Sequence, residues 1–274
     1  MAKVVTPTRP SSHHKGWSDQ HSHQRKLTSY LVEQSFYQQY ARITKADVPK
    51  LIACSHTQKG FITILEDLNG RGYSNRHEQL SVNQSISVLQ WLARFHADFY
   101  TCSSEKLWPQ GAYWHLATRS AELQAMEEGP LKDAATKIDI TLQQATAKTL
   151  IHGDAKVANF CFDDSAGKVA AVDFQYVGAG AGIVDIAYFM GSALSQKDQA
   201  NHYEYCLDIY FDALAAALNK HDCDSERIIN EWRALYPFAC ADFLRFLKGW
   251  SPSHWKINPH LLSQSRHALS LLKA

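Results

Sequence analysis

This chain carries almost no net charge: 28 lysines and arginines stand against 27 aspartates and glutamates, a formal +1 over 274 residues. Binding a polyanion through an overall field is therefore disfavoured. No basic run of five or more residues occurs either, which makes nucleic acid a poor partner. No apolar run approaches the ~20 residues that cross a bilayer. The opening MAKVVTPTRPSSHHKGW lacks the apolar centre of a signal peptide. The six cysteines (54, 102, 161, 206, 223 and 240) include no CxxC pair, and most lie in apolar or helical surroundings. They read as reduced, buried thiols rather than a disulfide framework, so a cytoplasmic protein without a membrane partner is expected. Internal repeats and low-complexity tracts are also missing.

What remains is enough chain for one large domain or two modest lobes around a cleft. Residues 2–6 predict a short strand ended by Pro7, and 7–22 a loop. Four of the 14 histidines (His13, His14, His21, His23) fall in this polar stretch. No acidic or cysteine partner accompanies them, so a solvated loop is preferred to a transition-metal site. Leu27, Tyr30, Leu31, Gln34, Phe36, Tyr37 and Tyr40 recur at helical steps and predict a helix over 23–42. Two extended runs follow, KLIACSH and FITILED, joined by a turn at Lys59-Gly60. Beyond residue 68 helices dominate. They are expected at 81–102 with Ser81 as N-cap, at 113–128 and 135–148, from about Ile183, and at 197–219, 225–249 and 259–273. The expected architecture is α+β: a small mixed lobe over 1–68 and a large helical lobe over 69–274 that carries a β-hairpin.

The chemistry concentrates in one segment. His152-Gly153-Asp154-Ala155-Lys156-Val157-Ala158-Asn159 follows the strand-like TLI. The run NFCFDDSAGKVAAVDF then reads as a hairpin that returns Asp173 to the level of Asn159. Phosphoryl transfer needs such a set. Asp154 would accept a hydrogen bond from the attacking hydroxyl and take its proton late. Lys156 would stabilise charge on the transferred group. Asn159 and Asp173 offer oxygens to magnesium. His152 is grouped with the catalytic residues, and its expected part is to hold the loop's shape. Any one of these residues alone would read as a group satisfying the backbone of a tight loop. Their coincidence in one context makes the site.

The pattern HGDxxxxN followed by VDF resembles the aminoglycoside phosphotransferase and choline kinase-like superfamily, small-molecule kinases with a protein-kinase-like two-lobe fold. RKLTSYLVEQSFY at 25–37, ILEDL at 64–68, LARFHADF at 92–99 and GIVDIAYF at 182–189 are closer to its ecdysteroid-kinase-like branch. The resemblance implies ATP and Mg2+, with a hydroxyl on a small molecule as acceptor. It implies a hinge at 64–68, including Glu66, Asp67 and Leu68, that receives adenine through backbone groups. It also pairs Glu33, in the first helix, with a strand lysine that grips the ATP phosphates. Lys3 matches that lysine, and Lys15 and Lys26 are weaker candidates. In one respect the sequence departs from the family pattern. Only Met1 and Ala2 precede Lys3, where two strands and a phosphate-covering turn are the family's order. Either the true start lies upstream, or nucleotide binds weakly, or another segment, such as the loop 9–23, covers the phosphates. The small sheet is then expected to have an exposed edge, which dimerisation or a loop would have to hide.

Other features carry plainer expectations. Gly178-Ala179-Gly180-Ala181-Gly182 lacks dinucleotide spacing and predicts a flexible turn. Asp185 is expected to cap its helix and brace the HGD loop. Trp108, Tyr113, Trp114, Trp250 and Trp255 could line an acceptor pocket for a cationic or ring-shaped substrate, against core packing as the plainer role for each. An ATP-dependent small-molecule kinase is thus the leading function. The alternative is a pseudokinase-like nucleotide- or ligand-binding protein without turnover. A two-metal hydrolase is weaker, since no further carboxylate or histidine cluster accompanies Asp154 and Asp173.

Overall fold

A computed structural model describes residues 1–6, 20–57 and 60–273. His13, His14, Lys15 and most of the segment 9–23 therefore lie outside the described residues. The chain opens with β1 (Ala2–Val5) and α1 (Gln20–Ser35), which continues into a π-helical turn at Phe36–Tyr40. Strands β2 (Leu51–Thr57) and β3 (Gly60–Leu65) complete a three-stranded antiparallel sheet in the order β1-β3-β2. The register sets Ala2 against Ile64 and Val5 against Phe61. Buried Gln34 fastens α1 to this sheet: its amide donates to the Ser55 and Ile62 carbonyls, both at 3.1 Å. Among the described residues, no strand pairs with the far edge of β1.

The helical part begins with α2 (Val82–Asp98). The expected cap is present as a full capping box, in which Ser81 and Gln84 satisfy each other's backbone N–H groups. Three short helices follow: α3 (Ser120–Ala125), α4 (Pro130–Asp133) and α5 (Ala135–Gln143). The helix predicted over 113–128 does not form as one piece. A single 3-10 turn at Leu116–Thr118 precedes α3. Tertiary hydrogen bonds claim this backbone instead: the Tyr113 N–H donates to Gly153 O at 3.0 Å, and the Arg119 side chain donates back to Tyr113 O at 2.8 Å.

Strand β4 (Thr149–Ile151) leads into the HGD segment, and β5 (Phe160–Phe162) with β6 (Val169–Ala171) forms the expected hairpin. The glycine-rich run after it is ordered, contrary to the flexible turn expected there. Gly178–Gly180 is β7, antiparallel to β4. Its small residues are what let it in: a Cβ on Gly178 would stand 2.3 Å from the Trp108 carbonyl on the neighbouring segment.

The remaining helices are α6 (Ile183–Ala193), α7 (Gln196–Leu218), α8 (Ser225–Trp250) and α9 (Pro259–Leu271). Every residue of α6 is buried, as befits a helix that is apolar on all sides and runs through the core. Its neighbours α2, α7 and α8 enclose it. Aromatic rings then tie this core to α1. Phe174 stacks on Phe36 with centroids 3.9 Å apart, meets Tyr37 edge-on at 5.7 Å and lies 4.7 Å from the His152 ring. Among the described residues no helix is long and apolar enough to cross a membrane. All six cysteines are free, and Cys161, Cys206 and Cys240 are buried.

Candidate active site

The HGD segment is shaped by groups behind it. Asp185, in the first turn of α6, accepts from the His152 N–H at 2.6 Å and the Gly153 N–H at 2.9 Å. The expected bracing is present but the expected capping is not, because the N-cap position falls at Gly182. His96 from α2 lies behind Asp185 at 3.2 Å, and its other ring nitrogen lies 2.8 Å from the Tyr210 hydroxyl. The carboxylate can only accept, so His96 donates through Nε2 and receives the tyrosine proton at Nδ1. All three of these side chains are inaccessible to solvent. Gly153 has φ of +76°, and a Cβ there would come within 2.1 Å of the Tyr176 carbonyl, so the middle residue of the motif has to be glycine.

His152 is fully buried and holds the loop from inside. Its Nε2 donates to Val172 O at 3.0 Å, and its Nδ1 accepts from the Asp154 N–H at 3.3 Å. Those two partners select the Nε2–H tautomer. They also link the loop to the strand that delivers Asp173. At the base of the hairpin the Val172 N–H donates to Asn159 O at 2.9 Å, so Asn159 and Asp173 emerge side by side.

The Asp154 carboxylate receives Lys156 Nζ at 2.9 Å and the Asn159 amide at 3.0 Å, both on Oδ2. Burial pushes its pKa above the ordinary carboxylate value, against the pull of Lys156. Lys156 is buried enough to lose some basicity, yet the Asp154 carboxylate more than offsets that and raises its pKa. The Asn159 amide also donates to Asp154 O at 2.8 Å. With its nitrogen so occupied, its carbonyl oxygen is the end left to meet a cation. Asp173 is a third exposed and sits at φ +66°, a strained left-handed position for a residue with a side chain.

The small sheet adds the last members. Lys3 Nζ lies 2.7 Å from Glu33 Oε2 and 3.5 Å from Asp173 Oδ1. Burial would lower the lysine's pKa, but the two carboxylates raise it on balance. Glu33 is almost wholly enclosed, and burial raises its pKa despite Lys3. Gln175, which carried no signal in the sequence, reaches Glu33 at 3.4 Å. The alternative lysine at 26 is exposed. In the segment 64–68 the side chains shape the turn: Glu66 accepts from the Lys50 N–H and from Arg71, and Asp67 accepts from the Asn69 N–H at 3.1 Å. Leu68 is buried, and its carbonyl takes the N–H groups of Arg71 and Tyr73.

Among the described residues no three histidine, cysteine, aspartate or glutamate side chains gather as a metal cage. Magnesium is held through one or two carboxylates plus substrate phosphates, and the partly exposed Asp173 carboxylate with the Asn159 carbonyl oxygen beside it supplies donor atoms of that kind. Of the aromatic candidates, Trp114 is core and Trp255 is largely exposed, whereas Tyr113 stands beside Tyr176 and Tyr188 close to Asp154. Tyr188, Tyr176 and Lys256 escaped the sequence reading because nothing in their spacing sets them apart.

A small sheet with one buried helix, set against a helical lobe whose hairpin carries Asn159 and Asp173, defines a protein-kinase-like fold. The sequence model of the ecdysteroid kinase-like family matches residues 28–113 and 110–223, well over half of the chain, and the chain belongs to this family. No curated protein matches it. Among solved structures, a microcompartment-associated aminopropanol kinase is 12% identical, with 99% of this chain and 91% of that one covered at a TM-score of 0.52. An ethanolamine kinase of Plasmodium vivax is 13% identical over 89% of this chain and 72% of its own, also at 0.52. An amicoumacin kinase in complex with AMP-PNP, Ca2+ and Ami is 12% identical over 98% and 80%, at 0.50. At such identities these likenesses establish the fold.

Proposed function

We propose that this protein is a small-molecule kinase that transfers the γ-phosphate of ATP to a hydroxyl group, with residues 1–68 as donor-binding lobe and 69–274 as catalytic lobe. The observation that carries this reading is the ion pair Lys3–Glu33 standing 3.5 Å from Asp173, within the same cleft as Asp154 and Asn159. Lys3 would grip the ATP phosphates and Glu33 would hold Lys3 in place. Backbone groups of the segment 64–68 would receive the adenine, other than the Glu66 N–H, which donates to Lys50 O, and the Leu68 carbonyl, which accepts from Arg71 and Tyr73. Asn159 and Asp173 would hold magnesium, which supplies charge neutralisation at the phosphate oxygens.

Asp154 orients the acceptor hydroxyl towards the γ-phosphorus. The acceptor oxygen bonds to phosphorus, the bridging P–O bond breaks, ADP leaves with that electron pair, and the hydroxyl proton passes to Asp154. A carboxyl group whose pKa is raised by burial is suited to that last step. Lys156 offsets charge on the transferred group and holds the Asp154 carboxylate oriented. His152 acts on the shape of the loop alone.

The test is a melting curve with and without millimolar magnesium-ATP, joined to ATP turnover over a screen of alcohols and amino alcohols. A ligand that binds only the folded state raises the melting temperature by mass action. A rise together with turnover that vanishes in Asp173→Ala is expected. A rise without turnover assigns the pseudokinase-like alternative, and neither effect removes the nucleotide reading altogether.

A further inference from the structure

Lys256 stands out among the half-buried cations. It lies in the loop between α8 and α9, and it reaches back to the catalytic segment. Its Nζ lies 4.5 Å from the centre of the Tyr188 ring, 5.6 Å from Trp255 and 5.9 Å from Phe243, and it donates to the Tyr188 hydroxyl at 3.3 Å. That hydroxyl faces the Asp154 carboxylate and the Tyr113 hydroxyl. Lys3, Lys156, Arg71, Arg119 and Arg245 each have a carboxylate within ion-pair distance; among the described residues Lys256 has none. Ring faces hold an ammonium by their quadrupole without cancelling its charge. Its field therefore stays available to a ligand.

A second cation closes the other end of the same wall. Tyr188, Tyr113 and Tyr176 stand in sequence with centroids 5.7 and 5.8 Å apart. Arg25 from α1 interacts with the Tyr176 hydroxyl and donates to Thr118 O at 2.9 Å, again with no ion-pair partner among the described residues. All three tyrosines feel the charge of Asp154. Of the two acceptor chemistries that the aromatic residues leave open, a cationic one is opposed by Arg25 and Lys256, the two cations of this wall without an ion-pair partner among the described residues, whereas the charge of Lys156 is taken up by Asp154. A ring flanked by an acidic group is favoured by the same two.

We propose that the tyrosine wall beside Asp154 is the acceptor site, and that Lys256 binds an acidic substituent of a ring-bearing hydroxy acid. This rests on the kinase reading for the identity of Asp154, but not for the existence of the anion subsite. Burial lowers the pKa of Lys256 to about 8, with Asp154 working against that and Lys156 adding to it. Besides those two groups and Tyr188, the ammonium's own segment brings His254, whose Nδ1 accepts the Lys256 backbone N–H at 3.2 Å. Lysine charge is thus lost within an accessible pH range, while the carboxylate of an aromatic acid stays ionised throughout it.

The experiment titrates the full chain, with and without magnesium-AMP-PNP, against 4-(hydroxymethyl)benzoate, 4-methylbenzyl alcohol and 4-(aminomethyl)benzyl alcohol, reading binding by calorimetry. At pH 7 the acid is expected to bind about ten-fold more tightly than the neutral alcohol, and the amine more weakly than either. The preference should disappear in Lys256→Met and in the wild type at pH 9.5. It should survive in Lys256→Arg at both pH values. Equal binding of acid and neutral alcohol, a preference untouched by Lys256→Met, or no binding of any of the three overturns the proposal. If the acid binds but magnesium-ATP neither binds nor turns over, the kinase reading falls and the anion subsite stands. If neutral alcohols are phosphorylated without acid preference, the reverse holds.

Discussion

The helical part and the small sheet hold their share of the candidate site differently. On the helical side, His152, Asp154, Asn159 and Asp185 are all buried, and each is held by two or more short hydrogen bonds. On the sheet side, Lys3 is a third exposed, its strand is an edge of three, and Val4 and Ile52 each show 67% of their surface. The HGD segment is thus preorganised by the core, whereas the Lys3–Glu33 pair, 30 residues apart in sequence, is held by its own salt bridge and by longer contacts to Asp173 and Gln175. Preorganisation of the reacting groups is where enzymes gain most from rigidity, and the ligand itself can complete a gripping lobe.

The largest effect that would break this comparison is on turnover. Asp154→Asn should lower kcat by about 10²–10⁴-fold, because it removes the hydroxyl's partner and proton acceptor together. A variant with wild-type kcat would move the chemistry away from the helical side.

Next comes the brace. Asp185→Ala leaves the N–H groups of His152 and Gly153, and the His96 ring, buried without their acceptor. Urea denaturation should show a loss of about 3–5 kcal/mol. Retained stability would mean that the loop does not depend on α6.

Lys3→Met tests the sheet side, and its effect on stability should be smaller. The lysine is partly solvated and Glu33 can take up a proton, so the cost should stay at or below about 1 kcal/mol. The KM for ATP should nevertheless rise, and Glu33→Gln added to it should do little more, since the two act as a pair. Additive effects would mean that the pair is not the functional unit.

The finest test is pH. Burial sets the Asp154 carboxyl above its unfolded value, so between those two values the native state binds more protons than the unfolded chain. Its contribution to stability is present below the unfolded pKa and is lost as pH rises through the folded one. Asp154→Asn removes this loss. The stability of the variant relative to wild type should therefore climb as pH rises through the acidic range, then level off. A flat difference would show that Lys156 and Asn159 fully compensate the burial.

Much of this was legible in the chain because it is local. The capping box at Ser81, the helices of the large lobe and the hairpin after Asn159 follow from periodicity and turn residues within a few positions. The HGD motif is likewise local, but the need for glycine at 153 comes from the approach of the Tyr176 carbonyl and Ala112 N–H and shows only in the structure. The misreadings share one cause. Segment 113–128 has helical periodicity, yet Tyr113 gives its N–H to the catalytic loop. Gly178–Gly180 has the composition of a turn, yet it is narrow enough to pair with β4 beneath Trp108. In both, a partner far along the chain outweighed local preference.

The sequence by itself determined the fold family and which polar side chains the HGD segment and its hairpin carry, because those reside in short motifs whose spacing a hairpin or one helical turn enforces. Only the tertiary structure decided how Asp154 is held, that Asp185 braces rather than caps, and that Lys256 returns across 68 residues to stand over Tyr188. Closing so long a loop leaves no periodic trace, and what a buried cation meets there depends on packing rather than on its neighbours in the chain.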